Sequence, residues 1–510
     1  MFNKYTDNSS SICLSEMWKL KKNLFPKRAP TIPSAKMNYQ GRIISEPQEL
    51  TKLMREEYGK VRLRKRPVHP LNMEGEKIRK LVIQLKLKRA AQQKTQPFQM
   101  EDLNTVLKDI KSNKSRDTEG LDRTIFKDTV IGSNLKESLL KLLNNIKTTK
   151  EIPAFMRRAT VTTIPKKGSK LKLENERGIF LVSTIRSILM RLLFNLKYNI
   201  FDSHMSDSNV GGRRNKSGIN HIWVMNDVIY DQLSCVKKTP IIIQKFYYKQ
   251  MFDGMDSEEA CGDIFSYGVK DDHLTLIHEA NKEIVICVKT PQGVSKPYKL
   301  TNKNMQGDTW APAMASAQVD SFGKEMIENK PSYMFRFKGE VPIPLLGQVD
   351  DLLGVAEAGF KSEQLNAFVN VKTADKDLQF GSEKCCYMMV SKMKPKCFHN
   401  SELFVDSWNI IHNPNGSFKE EFVGKVRMSQ ENSLMYLGHM LSNDNSNMPN
   451  IIHKKNKTIG TQKQILKLIE PLALYTFESA VVFVESLLRS STLYASETMI
   501  KMKETEYRAL

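Results

Sequence analysis

Apolar residues recur at two spacings along this chain, and each spacing predicts a different kind of element. Between 183 and 200 they repeat every three or four positions, which predicts a helix with one buried face. That face would carry Ile185, Ile188, Leu189, Leu192 and Leu196, with Arg186, Arg191 and Lys197 turned away from it. Short apolar runs at 160–164, at 240–248 and on both sides of 350–351 instead predict strands. Strands and helices interleave without strict alternation, so the pattern favours an α+β fold over a doubly wound sheet.

Two further segments have the pattern of amphipathic helices. The first has apolar residues at Ile78, Leu81, Val82 and Leu85, set among Lys77, Arg79, Lys80, Lys86, Lys88 and Arg89. The second has apolar residues at Phe477, Val481, Val484 and Leu488. The first segment predicts a helix with a strongly cationic outer face. Such a face is usually solvated surface, and contact with nucleic acid is the alternative.

Cations outnumber acidic residues by a wide margin. The net charge is +22, and the segment KVRLRKR at 60–66 holds five cations in seven residues. Lysine and arginine side chains that neutralise phosphates release condensed counterions, so an excess of this size favours a polyanionic partner. A basic but merely solvated surface is the alternative.

The cysteines and the hydropathy exclude several classes of protein. The seven cysteines are scattered, and none stands at a spacing typical of zinc sites, so no structural zinc site is expected. The opening MFNKYTDNSS lacks the apolar stretch of a secretory signal, and no run of about 18 apolar residues exists. We therefore expect an intracellular protein with reduced thiols, in the nucleus or the cytoplasm, and no membrane partner.

Two pairs of adjacent aspartates invite different interpretations. Asp271-Asp272 stands in the polar stretch GVKDDHL and is expected to be a solvated helix start. Asp350-Asp351 stands in LLGQVDDLLGVA, with apolar residues on both sides. The second pattern fits a hairpin whose tight turn presents two carboxylates from a buried element. Such charges need compensating cations, and Mg²⁺ held by carboxylates and substrate phosphates is one solution.

The order of several weak motifs is more informative than any one of them. In sequence they are IKSNKSRDTEGLDRTIFK at 110–127, NERGIFLVSTIR at 175–186, DSNVGGRRNKSGINH at 207–221, IIIQKFYYKQMFDGMD at 241–256, MQGDTWAPAMAS at 305–316, the VDD triplet at 349–351, LQFGSEKC at 378–385, YLGHMLS at 436–442 and LLRSSTLYASET at 487–498. This series resembles the ordered blocks of reverse transcriptases, most closely those of non-LTR (LINE-like) retrotransposons. The resemblance covers roughly residues 97–500.

The resemblance implies a fold and a reaction. The fold would be a right-hand polymerase: fingers at 97–240, palm with an antiparallel sheet packed by helices at 241–400, and the end of the palm with a truncated thumb at 401–510. Residues 1–96 would be a basic N-terminal extension. The reaction would be RNA-directed DNA synthesis, in which a DNA primer on an RNA template attacks a deoxynucleoside triphosphate. Two Mg²⁺ ions would stabilise the attacking and leaving oxygens.

The resemblance also implies roles for individual residues. Asp350 would be the metal-binding carboxylate with Asp351 its neighbour, and Lys384 would be a proton donor to the pyrophosphate. The nucleotide-binding residues would be Arg177 for the triphosphate, Phe252 as the gate against a ribose 2′-hydroxyl, and Gln306 and Gly307 for close backbone approach. Tyr436, Leu437 and Gly438 would form the primer grip.

One departure from the family pattern bears directly on catalysis. The family's first palm aspartate lies five residues before the aromatic gate, and counting back from Phe252 reaches Tyr247. A tyrosine is a neutral phenol at pH 7 and cannot replace a carboxylate ligand. Asp253 and Asp256 lie beyond the gate and are not obvious substitutes. Gly178 and Ala311, where proline and serine are usual, are milder differences.

The departure leaves three functional hypotheses. The chain is an active polymerase, a non-catalytic nucleic-acid-binding remnant, or the product of a decayed element without a selected role. It is also too short for the endonuclease that full-length elements usually carry.

If the alignment is right, the segments 241–252 and 345–356 are adjacent antiparallel strands with Tyr247 beside the aspartate pair. Helices at about 183–200 and 308–325 would pack on that sheet.

Overall fold

The structure is a computed structural model that describes most of the chain. The described residues are 37–39, 42–63, 75–110, 116–127, 132–165, 176–234, 238–249, 251–290, 293–300, 304–305, 307–392, 402–412 and 418–469. Outside them lie the expected helix at 477–488, residues 64–66 of the basic segment, and the side chains of its residues 60–63. None of the described helices is long and apolar enough to cross a membrane.

Helices and strands are mixed along the chain. The helices are α1 (Pro47–Leu63), α2 (Glu76–Gln92), α3 (Met100–Lys108), α4 (Gly132–Thr149), α5 (Thr184–Ser203), α6 (Gly218–Ser234), α7 (Met251–Gly254), α8 (Ser257–Ser266), α9 (Asp272–Asn281), α10 (Ala311–Asn329), α11 (Phe360–Asp375) and α12 (Met448–Ile469). The strands are β1 (Met37–Tyr39), β2 (Arg42–Ile44), β3 (Arg158–Pro165), β4 (Glu176–Val182), β5 (Ile241–Tyr247), β6 (Val285–Thr290), β7 (Gly293–Val294), β8 (Tyr298–Lys299), β9 (Phe335–Phe337), β10 (Val341–Ile343), β11 (Leu346–Gln348), β12 (Asp351–Glu357), β13 (Cys386–Val390), β14 (Phe404–His412), β15 (Phe418–Arg427), β16 (Ser429–Gln430), β17 (Ser433–Tyr436) and β18 (His439–Ser442). This mixture is compatible with the α+β class that the sequence predicts.

The chain divides into two compact units. The larger comprises Pro33–Gly218 and Cys235–Glu431. The described part of the smaller comprises most of α6, the β17–β18 hairpin and α12. The division into fingers, palm and thumb stays a prediction.

A five-stranded sheet forms the centre of the larger unit, and we call it the central sheet. Its strand order is β11-β12-β5-β13-β16. Strand β5 pairs antiparallel with both of its neighbours, and its run of isoleucines is buried. The predicted pairing of 241–252 with 345–356 is confirmed, and Tyr247 lies directly opposite Asp351.

Helices cover the central sheet. Helix α10 packs against β11, as the prediction for 308–325 requires, and α11 packs against β12 and β5. Helix α5 contributes to the main apolar cluster of the larger unit, in which Ile188 and Leu192 are buried together with Ile242 and Phe246 of β5. A separate sheet of order β4-β3-β6-β7, with β8 also paired to β6, has its own smaller apolar cluster.

Helix α5 is present where the sequence predicts it, but two of its residues face the other way. The helix begins after Ser183, whose hydroxyl accepts a hydrogen bond from the Arg186 amide at 3.3 Å. Arg186 was expected on the outer side and is 0% exposed, whereas Leu196 was expected in the core and is 39% exposed. The reason is a distant partner: the Arg186 guanidinium donates to the Asp308 carboxylate at 2.9 Å.

Helix α2 also forms as predicted, but its faces are reversed. The apolar residues Ile78, Leu81, Val82 and Leu85 are all exposed, and the buried positions are Ile83 and Ala90. Arg79 reaches Asp377 at 2.7 Å, and Lys86 donates to the Ser266 hydroxyl at 2.8 Å. The supposed outer face of the helix is therefore partly the face that docks on the protein.

The Asp271-Asp272 pair is a helix start, as expected, but it is not solvated. Asp271 caps α9 and accepts a hydrogen bond from the His273 amide at 3.2 Å. Asp272 is buried and binds Lys150 at 2.8 Å and the Thr95 hydroxyl at 2.6 Å. The prediction was wrong because these partners are far away in sequence.

Candidate functional site

The acidic turn, Gln348 to Asp351, joins the paired ends of β11 and β12. Gln348 and Asp351 face each other in the ladder, so Val349 and Asp350 form a two-residue loop. Val349 has a φ of 57°. A left-handed conformation is a genuine outlier for a β-branched residue, and strain of this kind clusters at functional sites. The turn therefore combines a strained backbone with a carboxylate pair, which makes it a candidate functional site.

The segment 208–211 contacts the strand that leads into the acidic turn through backbone hydrogen bonds. The Val210 amide donates to the Gly347 carbonyl at 3.0 Å, and the Gly347 amide donates to the Ser208 carbonyl at 2.8 Å. Ser316 of α10 joins the same network, since its hydroxyl donates to the Gly211 carbonyl at 2.7 Å. The sequence reasoning assigned no role to this segment. Its signal was the adjacent glycine pair at 211–212 in DSNVGGRR.

Gly211 leaves no room for a side chain. A Cβ at this position would lie 2.6 Å from the Val349 nitrogen and 2.7 Å from the Ser316 hydroxyl oxygen. We expect Gly211→Ala to displace the turn and to lower the free energy of unfolding by about 1–3 kcal/mol, the usual penalty of overpacking. Urea unfolding would measure this. Gly460→Ala is the matched control, because its Cβ meets nothing within 4 Å and should not destabilise. Equal effects at both sites would contradict the tight packing.

Tyr247 occupies the position opposite the acidic turn. Its carbonyl accepts a hydrogen bond from the Gly381 amide at 2.8 Å. Its ring passes so close to Gly381 that a Cβ there would lie 2.8 Å from Tyr247 Cδ1. The Lys384 ammonium lies 4.0 Å from the centre of the ring, within cation–π range. The structure therefore brings Tyr247 and Lys384 together with the aspartate pair.

Two lysines set the charge at the acidic turn. Lys245 Nζ lies 3.9 Å from Asp351 Oδ1. Burial raises the pKa of Asp351; Lys245 and Lys384 act against that shift, and Asp350 adds to it. Asp350 is half-buried, and its carbonyl accepts a hydrogen bond from the Tyr248 amide at 3.2 Å. Two carboxylates and two ammonium groups thus share this site, and their formal charges cancel.

The side chains around the acidic turn do not fit the two-metal site that the resemblance implies. Among the described side chains, no third carboxylate, histidine or cysteine completes a ligand group with Asp350 and Asp351. The Asp256 carboxylate accepts hydrogen bonds from two backbone amides at the start of α8. The side chain of Asp253 lies outside the described residues. The position opposite Asp351 holds the phenol of Tyr247, which supplies no carboxylate.

A different group of side chains could hold a metal ion. Asp271, Asp272 and His273 each offer a ligand atom, and these atoms lie within 4.8 Å of one another. Two lysines already neutralise the carboxylates, since Lys197 binds Asp271 and Lys150 binds Asp272. The cluster therefore works as a network that joins α9 to other elements, with no need for a metal.

The predicted nucleotide-binding residues are only partly described. Arg177 stands in β4 opposite Ile164 of β3, but its side chain is outside the described residues, as is all of Gln306. Gly307 has a φ of 105°, and a Cβ there would lie 3.7 Å from the Phe180 carbonyl oxygen. Gly307 therefore lies beside β4. Phe252 of α7 is half-buried against the main apolar cluster.

The predicted primer grip lies in the smaller unit. Leu437 and Gly438 form the turn of the β17–β18 hairpin, and both have positive φ, at 49° and 81°. Tyr436 is buried, and its hydroxyl lies 3.0 Å from Nδ1 of His221 on α6. Tyr436 thus supports the hairpin from within. Leu437 is half-buried and Gly438 is exposed, so these two residues are the ones open to a ligand.

The backbone of the site is compatible with a metal-binding function, whereas its side chains are not. The backbone presents a carboxylate turn beside a strand that could carry a further ligand, whereas the side chains supply a phenol and two ammonium groups. Compared with known families and curated proteins, the chain matches no family model and no curated sequence. The functional assignment therefore depends on the order of the motifs and on this geometry.

Proposed function

We propose that this chain is the reverse-transcriptase core of a non-LTR retroelement that has lost nucleotidyl transfer and still binds a hybrid of RNA template and DNA primer. The observation that carries the proposal is the register that sets Tyr247 opposite Asp351. That register supports the alignment, in which an aspartate is expected at this position. The central sheet would then be part of the palm of a right-hand polymerase.

The loss of catalysis follows from the charges at the acidic turn. Two Mg²⁺ ions clamp the attacking and leaving oxygens only if the protein fixes them with carboxylates. Here Lys245 lies beside Asp351, and Lys384 lies over the Tyr247 ring. Among the side chains that the structure describes, a second divalent ion would meet two ammonium groups and no third carboxylate. Deoxynucleoside triphosphates would thus become substrates only if the missing carboxylate were restored.

Binding of nucleic acid does not depend on the metal site. The excess of 22 positive charges is spread over the chain, and phosphate contacts made by many residues survive the loss of any one group. A metal-dependent nuclease could also use an aspartate pair. It would leave the Gln-Gly block and the hairpin at 436–438 without a role.

We expect binding of an RNA/DNA hybrid to weaken steeply as salt rises. Each phosphate contact adds about 0.9 to the slope of log K against log salt for a duplex. Replacing Arg62, Arg64, Lys65 and Arg66 with glutamine together should flatten that slope. Fluorescence anisotropy with a labelled hybrid would measure the slope. The titrations would be made in EDTA, at salt concentrations from about 50 to 300 mM.

A second quadruple variant controls for the change in net charge. Lys52, Lys141, Lys338 and Lys425 are exposed and lie far apart in sequence. Their replacement with glutamine removes the same four charges, and we expect a smaller change in slope. A slope near zero in the unmodified protein would rule out the binding function. Equal flattening by both variants would show that the segment at 60–66 has no special role.

A further inference from the structure

Helix α2 presents an unusual apolar surface to solvent. Ile78, Leu81, Val82 and Leu85 are 68%, 56%, 43% and 56% exposed, and we call these four residues the apolar stripe. Their spacing of i, i+3, i+4 and i+7 puts them on one face of the helix over about two turns. Single exposed apolar residues are ordinary, but four that adjoin one another indicate an interaction site.

The opposite face of α2 fixes this orientation. Ile83 lies against Gly262 of α8, where a Cβ would approach its Cγ1 to 3.0 Å. Arg79 pairs with Asp377 at 2.7 Å and with Glu259 at 3.5 Å. Lys86 donates to the Gly262 carbonyl at 3.2 Å. A rotation of α2 that buried the apolar stripe would break the close contact with α8 and these polar contacts. The stripe is therefore held outward by the rest of the larger unit.

Cations border the apolar stripe. Lys77, Lys88 and Arg89 are exposed, and helical geometry puts Lys77 and Lys88 on one flank of the stripe and Arg89 at its C-terminal end. Lys80 lies further round the helix and pairs with Glu76. The surface therefore combines an apolar centre with a positive rim, which is the pattern that selects a partner helix by its flanking charges.

We propose that the apolar stripe of α2 is the docking site for an amphipathic helix of another polypeptide that has acidic residues beside its apolar face. Leucine-like side chains of that helix would pack between Ile78, Leu81, Val82 and Leu85. Its carboxylates would pair with Lys77 and Lys88 along one flank of the stripe and with Arg89 at its C-terminal end. This interaction is separate from the proposed binding of nucleic acid.

The charges and the composition of α2 favour this occupant over two others. A second copy of α2 would bring lysine and arginine rims together, and like charges across an interface are unfavourable. A membrane-surface helix usually has aromatic residues at the headgroup level, and α2 has none in EKIRKLVIQLKLKRAAQ. An apolar face two turns long suits one partner helix better than a bilayer.

Designed peptides test the proposal with the full-length protein. Two fluorescein-labelled helical peptides would share one leucine face, and one would have glutamates on its flanks and the other lysines. By anisotropy, we expect the glutamate peptide to bind at least tenfold more tightly. The variant Leu81→Glu, Leu85→Glu should lose that binding by at least tenfold. The variant Lys77→Glu, Lys88→Glu, Arg89→Glu should instead prefer the lysine peptide.

A matched variant separates docking from general effects of surface mutation. Val371 and Val423 are exposed apolar residues elsewhere, and Val371→Glu, Val423→Glu should leave peptide binding unchanged. Because all the changed residues are exposed, thermal unfolding should confirm that every variant folds. No saturable binding, or equal binding of both peptides, would overturn the proposal. So would stripe-dependent binding to phosphatidylcholine–phosphatidylserine vesicles, or stripe-dependent dimers in sedimentation velocity, which would assign the stripe to a membrane or to a second copy.

Discussion

Replacing Tyr247 with aspartate should raise RNA-templated primer extension from background by at least about a hundredfold. Residues directly opposite each other in an antiparallel pair have Cβ atoms about 4.5–5.5 Å apart, so an aspartate at 247, opposite Asp351, would lie beside the acidic turn and could share a metal ion with its carboxylates. A restored ligand adds several kcal/mol of transition-state stabilisation, and about 1.4 kcal/mol corresponds to tenfold in rate. The assay would use a poly-rA template, an oligo-dT primer and Mg²⁺ or Mn²⁺.

Two control variants isolate the carboxylate. Tyr247→Asn removes the same ring and opens the same space, but it adds no negative charge and should stay at background. Tyr247→Asp combined with Asp350→Asn should lose the gain, because both carboxylates must hold the same metals. Mn²⁺ binding followed by electron paramagnetic resonance gives a readout that does not depend on turnover, and only Tyr247→Asp should show a gain.

Other outcomes of the repair experiment have definite meanings. Strong synthesis by the unmodified protein would show that another group supplies the ligand, with Asp253 the nearest candidate in sequence. If Tyr247→Asp binds Mn²⁺ but does not polymerise, a second defect lies elsewhere in the core. If it gains neither, the lysines at 245 and 384 still compensate the carboxylates, and the geometry proposed for the repaired site is wrong.

The sequence predicts the centre of this fold better than its periphery. The pairing of β5 with β12 could be predicted because both strands are short apolar runs anchored by motifs of fixed spacing, so the register follows once the motifs are aligned. The resemblance placed Lys384 at this site, but two lysine contacts could not be predicted. Lys384 approaches the Tyr247 ring only through the turn at Gly381, and Lys245 was assigned no role beside Asp351. The support from 208–211 was likewise missed, since it is made by backbone groups.

The errors on helices have a common cause. Periodicity shows that a helix has two faces, but it does not show which face the protein covers. In α2, the acidic residues that bind Arg79 lie about 180 and 300 positions further along the chain, so the face that carries Arg79 and Ile83 is docked and the apolar stripe is exposed. In α5, Arg186 lies in the core because it pairs with Asp308, 122 positions further along the chain. Long-range ion pairs override amphipathic patterns where they occur.

The Arg186–Asp308 pair should be among the most sensitive points of the fold. Both side chains are buried, and Arg186 also donates to Asn281 Oδ1 at 2.8 Å and to the Ala280 carbonyl. We expect Arg186→Met to lower the free energy of unfolding by about 3–5 kcal/mol, because it leaves the Asp308 carboxylate buried without its cation. Arg186→Met with Asp308→Leu should regain part of that loss, since no uncompensated charge remains. Lys361→Met breaks the exposed Lys361–Glu357 pair and should cost less than about 1 kcal/mol. Urea unfolding of the three variants would give these differences, and a loss at Arg186 no larger than at Lys361 would show that the buried pair does not hold α5 in place.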